Sequence, residues 1–431
     1  MTRALSVWWD KAITGTLEVS RNGNLRFVYS ADWLSDESRP AISFSLPRRP
    51  EPFRTSECRP FFAGLLPEAG QREAVAGALG ISARNDFALL DALGGDVAGA
   101  LSLWPEGETP PSPEPDARPR ALGDEDLASV LDTLPARPLL VGREGVRLSL
   151  AGAQPKLPVV LVGGRVALPA PGQPTTHILK PPVTRFPHTT ENEALVMRLA
   201  DALGLPVASV EPRVVAGRPY LLITRYDRRI DEPGPALRLH QEDFCQALAI
   251  PPERKYQAEG GPTFAMSFEL LRRAATHPAI AVLALLDAAV FNLIAGNADA
   301  HGKNFSLLHD TRTVSLAPLY DLLSTAAYPE LSPNLAMRIG RRTTLDQIGP
   351  DTWTAFAKEA GLAAPFVRRR ARELADAVRT AVNDVADRTA TAGLDREALA
   401  AVASRIATRA ERVARTGTPA LSAPRPPAAG R

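Results

Sequence analysis

The hydrophobic pattern of this chain changes period near residue 240, and that change narrows the folds open to it. Before it, short apolar runs at 146–150, 158–162, 177–180 and 220–224 read as strands bounded by turn residues. One amphipathic helix interrupts them at 191–203, stopped by Gly204 with Pro206 just beyond. After about residue 240 the strand signals thin out, and Ala-, Leu- and Arg-rich helical segments continue to about residue 415. A β-rich lobe with one helix, followed by a mostly helical lobe, predicts an α+β molecule that clamps a ligand in the cleft between its lobes.

A separate unit stands in front. Strand candidates at 6–9, 15–19 and 25–29, with a hairpin turn at Arg21-Asn22-Gly23, lead into helices at 68–79 and 86–93 that stop at Gly80 and Gly94. This reads as a small α/β accessory unit. The sixteen residues 105–120 hold six prolines and almost nothing apolar, the composition of a linker or exposed loop. The last stretch has no periodicity and predicts a disordered tail. The expected divisions are therefore 1–105 (accessory), 106–120 (linker), 121–238 (β-rich lobe), 239–415 (helical lobe) and 416–431 (tail), in keeping with about three folding units for 431 residues.

Composition excludes several classes. Fifty Lys plus Arg against 48 Asp plus Glu leave +2, so no net field points to nucleic acid or a membrane. Cys58 and Cys245 are too few for a disulfide framework and too far apart for a CxxC site. No apolar run reaches about 18 residues, and an acidic residue falls where a signal peptide needs its apolar core. The expectation is a cytoplasmic protein with no membrane partner. His177, His188, His240, His277 and His309 show no metal-ligand spacing. The arginine run Arg368, Arg369 and Arg370 reads either as a solvated helix face or as a patch for DNA phosphates.

Only six of the fifty basic residues are lysines. Arg and Lys are nearly interchangeable on a solvated surface but not at a phosphate that needs a slim point charge, so the surviving lysines carry information. Three of them, Lys156, Lys180 and Lys303, fall in short segments with other chemistry. Lys303 lies in FNLIAGNADAHGKNF, where Asp299 is followed five residues later by Asn304. That is the catalytic-loop spacing of kinase-like phosphotransferases, in which the Asp accepts the hydroxyl proton and the Asn holds magnesium. A polar loop whose Asp and Asn satisfy backbone donors would look the same. Asp321, closing the strand-like run 314–321, fits the second magnesium carboxylate. Lys180 ends an apolar strand ahead of Glu191 and Glu193, which could orient it toward phosphates, or it snorkels to solvent. The small-residue loop Ala151, Gly152, Ala153, Gln154, Pro155 and Lys156 is either a phosphate cradle or a tight hairpin. Thr224 and Tyr226 follow a strand where a kinase hinge would meet adenine.

With these segments in order, the chain resembles the HipA family of serine/threonine protein kinases, toxins of bacterial type II toxin–antitoxin systems. The resemblance rests on residues 61–105, RLSLAGAQPKLPVVL, PTTHILKP, ENEALVMRLADALGLPVASVE, YLLITRYDR, RLHQEDFCQALAI, NADAHGKNFSLL and LAPLYDLLS, in that order. It implies a two-lobed kinase-like fold with an N-terminal accessory subdomain, in a full-length toxin using ATP and Mg²⁺. It also implies Asp299 as catalytic base, Asn304 and Asp321 as magnesium ligands, and Lys180 on the ATP phosphates. Residues 151–156 would form the phosphate loop, and His301, Gly302, Lys303, Asn304 and Tyr320 would line the nucleotide site with the hinge positions Thr224 and Tyr226. Ser149 matches a serine that family members autophosphorylate, expelling the phosphate loop. The implied partners are a HipB-like helix-turn-helix antitoxin, operator DNA through that antitoxin, and an aminoacyl-tRNA synthetase substrate of glutamyl type, with growth arrest as the outcome. Pro155 departs from the family by standing where an acidic residue is common, and it could stiffen the loop. Two other readings share part of the pattern: a small-molecule phosphotransferase of aminoglycoside or choline kinase type, which needs no accessory unit, and an inactive DNA-bound co-repressor, which needs no intact Asp299, Asn304, Asp321 and Lys180.

Overall fold

The computed structural model describes residues 3–111, 118–140, 149–230, 236–310 and 312–416. Residues 146–148 of one expected strand, the middle of the Pro-rich stretch and the tail beyond Thr416 lie outside them.

In the N-terminal unit a meander of Arg3–Trp9, Ala12–Val19 and Leu25–Tyr29 is flanked by Phe53–Arg54 beside the last and Leu101–Pro105 beside the first. Every pairing in this sheet is antiparallel. The Arg21-Asn22-Gly23 turn closes as expected, with Gly23 at φ +78° and its N–H donating to the Ser20 carbonyl at 3.0 Å. Alternate residues Leu5, Val7, Leu17 and Phe27 face a core shared with Phe61 and Phe62 of helix Thr55–Gly64.

The second sheet has six antiparallel strands in the order Val210–Val215, Arg218–Thr224, His177–Lys180, Leu157–Val162, Arg165–Leu168 and Arg120–Ala121. Its period-two side chains serve two cores. Tyr220 and Leu222 pack with Leu127 and Leu131 of helix Asp124–Thr133. Leu221 and Ile223 join the large helical core together with helix Thr189–Ala202. That helix begins two residues earlier than its apolar stripe suggests and ends, as expected, before Gly204 at φ +73°.

Helix Pro278–Ala295 runs through the helical core. It is 18 residues long with a mean hydropathy of 2.1, but 67% of it is buried inside the protein, as a core helix requires. Gly296 ends it at φ +76°, where a Cβ would come within 2.9 Å of Ala326. The chain thereby turns sharply into the polar loop that follows. Helices Phe264–Ala274, Pro350–Ala360, Ala364–Ala390 and Arg396–Thr416 complete the lobe, the last including Thr416, the first residue of the expected tail.

Three local expectations are corrected. Ser149 and Leu150 are not in a strand. Strands persist after residue 240: His240–Asp243, Ser306–Asp310 and Thr313–Leu316 form one sheet, and Asn334–Ile339 pairs with Arg342–Thr344. Asp321 does not close a strand, because the strand stops at Leu316, and Leu319 is then pinned to the far lobe by hydrogen bonds with Pro206 and Ala208, each 2.8 Å. Asp321 turns back within two residues, at φ +57°.

Candidate active site

A cleft of about 900 Å³ lies between the lobes, and its wall includes four of the six lysines: Lys156, Lys180, Lys255 and Lys303. Lys180, the last residue of its strand, donates from Nζ to Glu193 Oε1 at 2.8 Å and to Asp321 Oδ1 at 2.8 Å. Glu191 instead lies near His188, 4.0 Å away. Burial works against the charge on Lys180, but Asp321 and Glu193 outweigh it and raise the ammonium's pKa. Burial likewise opposes ionisation of Asp321, yet Lys180 and Lys156 hold that carboxyl well below the usual carboxylate range. Burial raises Glu193, with Lys180 opposing. Asp321 is therefore the firmly ionised partner of the shared ammonium.

The loop after Gly296 brings up the other half. Asn297 Oδ1 accepts from the Asp299 N–H at 3.1 Å, shaping the turn. Asp299 Oδ1 accepts from the Tyr256 hydroxyl at 2.9 Å. Asn304, in the short turn Gly302–Asn304, places its amide 3.4 Å from Asp321 Oδ2. The contact is made by the amide nitrogen, and the Asp321 carboxylate and the Asn304 amide oxygen would supply hard oxygen donors once that amide turned. Among the described residues no group of three or more His, Cys, Asp or Glu could hold a metal. That donor set fits Mg²⁺, which keeps waters and takes its remaining ligands from phosphates.

The small-residue loop is folded inward. Gly152, at φ +118°, gives its carbonyl to the Glu68 N–H at 3.1 Å, and Lys156 donates across the loop to the Ala151 carbonyl. A Cβ at position 152 would collide with that ammonium. Burial and the neighbouring Lys180 push Lys156 down to about 8. Ala151, Gly152, Ala153 and Gln154 line the cleft, whereas its wall includes neither Pro155 nor Gly302. Ser149 lies at the loop's base, fully buried, donating from Oγ to the Leu65 carbonyl at 2.7 Å and from its N–H to the Asp96 carbonyl at 3.0 Å.

At the back of the cleft Thr224 pairs with His177, and the Tyr226 ring lies 5.5 Å from that of Tyr320. The Tyr320 hydroxyl donates to the Lys303 carbonyl at 2.6 Å. His301 is buried against Tyr256, ring centroids 5.3 Å apart, and burial drives its pKa down to about 3, so it stays neutral. Lys303 lines the cleft, but its ammonium donates to Asp243 and to the Gly64 carbonyl.

Sequence reasoning missed two features. Glu68, from the accessory unit, lies 2.8 Å from Lys255 and 3.8 Å from Lys303. The scarcity of lysine was the signal for Lys255; nothing local marked Glu68. The second feature is a buried charge network beside Thr224 and Tyr226. Asp96 pairs with Arg228 at 2.8 Å, Arg238 at 3.2 Å and Arg225 at 3.5 Å, while Asp227 pairs with Arg225 at 2.7 Å and Arg228 at 3.0 Å and accepts from the Gly99 N–H at 2.7 Å. It ties the accessory unit to the residues after Thr224. In the arginine run, Arg370 is engaged by Asp287 at 2.6 Å and Arg369 lies 3.5 Å from Glu373, the pairing of a helix face.

The HipA N-terminal domain matches residues 5–104 and the HipA-like C-terminal domain matches residues 148–386. The putative kinase Y4mE of Sinorhizobium fredii is 58% identical over 413 residues, covering 95% of this chain and 98% of that protein. The serine/threonine-protein kinase toxin HipA of Shewanella oneidensis is 34% identical over 309 residues, covering 69% of this chain and 68% of that one. A chain of the solved Shewanella oneidensis complex of HipA, HipB and operator DNA superposes with a TM-score of 0.81 at 28% identity, covering 95% of this chain and 97% of its own length. With kinase-type groups meeting in one cleft and both domains matched, the chain is a kinase and belongs to the HipA family of serine/threonine kinase toxins.

Proposed function

We propose that the protein is an ATP-dependent serine/threonine protein kinase acting as the toxin of a HipBA-like pair in the cytoplasm. The observation that carries this reading is Lys180 bridging Glu193 and Asp321 in the same cleft as Asp299. Residues 151–156 cover the phosphates, and Lys156 and Lys180 meet their charge. Tyr226, Tyr320 and Thr224 form the wall for the base. Asn304 and Asp321 would hold Mg²⁺, which neutralises charge on the phosphates when bound. Asp299 accepts the proton of the substrate serine or threonine hydroxyl as its oxygen attacks the γ-phosphorus and the bond to the β-phosphate oxygen breaks.

Ser149 is the proposed autophosphorylation site. Because its Oγ is buried on Leu65, the loop base must first leave the accessory unit. A HipB-like antitoxin, with operator DNA reached through it, is supported by the similar chain in the Shewanella complex. A glutamyl-type aminoacyl-tRNA synthetase is supported as substrate by the family resemblance. The proposed divisions remain 1–105, 106–120, 121–238, 239–415 and 416–431, with helix Thr189–Ala202 packing into the helical core despite its place in the β-rich segment.

The test is incubation of purified protein with labelled ATP and a cell lysate. Label on a synthetase band, lost in Asp299→Asn, is the expected result. Label only on small molecules would overturn the protein-kinase reading.

A further inference from the structure

Asp299 must keep a negative charge in a confined place and leave one oxygen open to the substrate. Two consecutive residues, outside every kinase motif named above, work toward both. Tyr256 donates its hydroxyl to Asp299 Oδ1 at 2.9 Å, and among the described residues no hydrogen bond to Oδ2 is present. Burial and the neighbouring Asp299 push the Tyr256 phenol upward, so it keeps its proton and acts only as a donor. Burial also raises Asp299, and Lys255 and the Tyr256 hydroxyl pull against it, while Asp321 and Glu68 add to the rise.

The dipeptide is itself anchored to the catalytic loop and to the accessory unit. The Gly302 N–H points to the Lys255 carbonyl at 3.4 Å, and the Tyr256 ring packs edge-on against His301. Gly261 donates its N–H to the Tyr256 carbonyl at 2.9 Å, and a side chain at 261 would strike that carbonyl and the one of Arg254. Lys255 Nζ donates to Glu68 Oε2 at 2.8 Å. Glu68 in turn holds the Gly152 carbonyl of the phosphate loop through its own N–H.

We propose that Lys255 and Tyr256 are positioning residues for the catalytic base, with Tyr256 fixing one carboxylate oxygen so that the other faces the acceptor hydroxyl, and that Glu68 sets Lys255 from the accessory unit. This rests on Asp299 being the base. It gives the accessory unit a direct part in phosphoryl transfer, since the residue that orders Lys255 also registers the phosphate loop.

The test is the initial rate of labelled phosphate transfer from ATP into total lysate protein, titrated in ATP, for Tyr256→Phe, Glu68→Gln and Asp299→Asn. Tyr256→Phe removes one oxygen and should lower kcat about tenfold or more while KM for ATP and the melting midpoint stay unchanged. Glu68→Gln should lower kcat in the same direction by a smaller factor. Asp299→Asn should be nearly inactive. Unchanged kcat in Tyr256→Phe, or a loss that appears only in KM or melting midpoint, overturns the positioning role while the inactive Asp299→Asn keeps the base assignment intact. Near-normal transfer by Asp299→Asn overturns both.

Discussion

Lys180 and Asp321 are 141 residues apart in sequence and 2.8 Å apart in space, and Glu193 holds the same ammonium from its other side. One charge so fixes a strand of the first lobe, a helix packed on the second and the loop that carries Asp321. Losing any of the three disturbs the other two.

On the proposed reading, Asp299→Asn removes the proton acceptor, and Asp321→Asn removes a metal ligand together with the counter-charge of Lys180. Each should lower phosphoryl transfer about 10²- to 10⁴-fold. Far-UV circular dichroism should be unchanged, and initial rates with labelled ATP decide the outcome.

Lys180→Met removes the cation that bridges Glu193 and Asp321 and leaves Lys156 as the ammonium that still offsets them. The enclosed Glu193 cannot turn to water, whereas Asp321 is 37% exposed at its side chain and relaxes more easily. A cost of about 3 kcal/mol is expected, at the low end for breaking a buried ion pair. Glu193→Gln keeps a hydrogen-bond acceptor and should cost less. Urea melts of the two variants, with ATP affinity lost in Lys180→Met, check the order.

Ser149→Ala deprives the buried Leu65 carbonyl of its donor, costing about 1–3 kcal/mol, but should still bind ATP. Ser149→Glu puts a carboxylate where, among the described residues, Ser149 meets only the Leu65 and Asp96 carbonyls, so the loop base is expected to leave and carry residues 151–156 with it. Calorimetric titration should show ATP binding in the alanine variant and none in the glutamate variant. Equal affinity in both would detach the loop from phosphate binding.

Lys156 provides a pH signature. Its folded pKa of about 8 lies below the ordinary lysine value of 10.5. The resulting cost to folding is complete below pH 8 and fades as pH rises from 8 to 10.5. Phosphates beside the ammonium restore its proton, so ATP binding at pH 8.5 to 9 should take up a proton from buffer. Titrations in two buffers of different ionisation enthalpy measure that uptake, and Lys156→Ala should abolish it.

The parts of this site that the sequence made legible are those written in local spacing: Asp299 to Asn304 in one loop, Lys180 at a strand end, and a following helix whose Glu191 and Glu193 were both candidates, of which the structure selects Glu193. What it did not show depends on chain crossings. Lys303 sits where a phosphate contact was expected, but Asp243, sixty residues earlier, takes its charge. Asp321 leaves the extended region because Leu319 is fastened to Pro206 and Ala208 in the other lobe, a tether no local pattern records. The strand His240–Asp243 went unseen because HQED has no apolar alternation. Glu68 belongs to a unit that reads as separate, so its place beside Lys255 exists only after docking.

The Asp96 network means that the boundary proposed at the Pro-rich stretch is not a thermodynamic one. Cut there, the kinase portion would keep Arg225, Arg228 and Arg238 but lose the carboxylate that Asp96 gives them, leaving Asp227 to balance the group alone. Guanidinium groups with that deficit cannot stay dry. Water would enter behind Thr224 and Tyr226, and the wall proposed for adenine would loosen. The accessory unit is in this sense an inner wall behind the proposed nucleotide site, and heat should melt it and the kinase lobes together in one cooperative transition rather than in sequence.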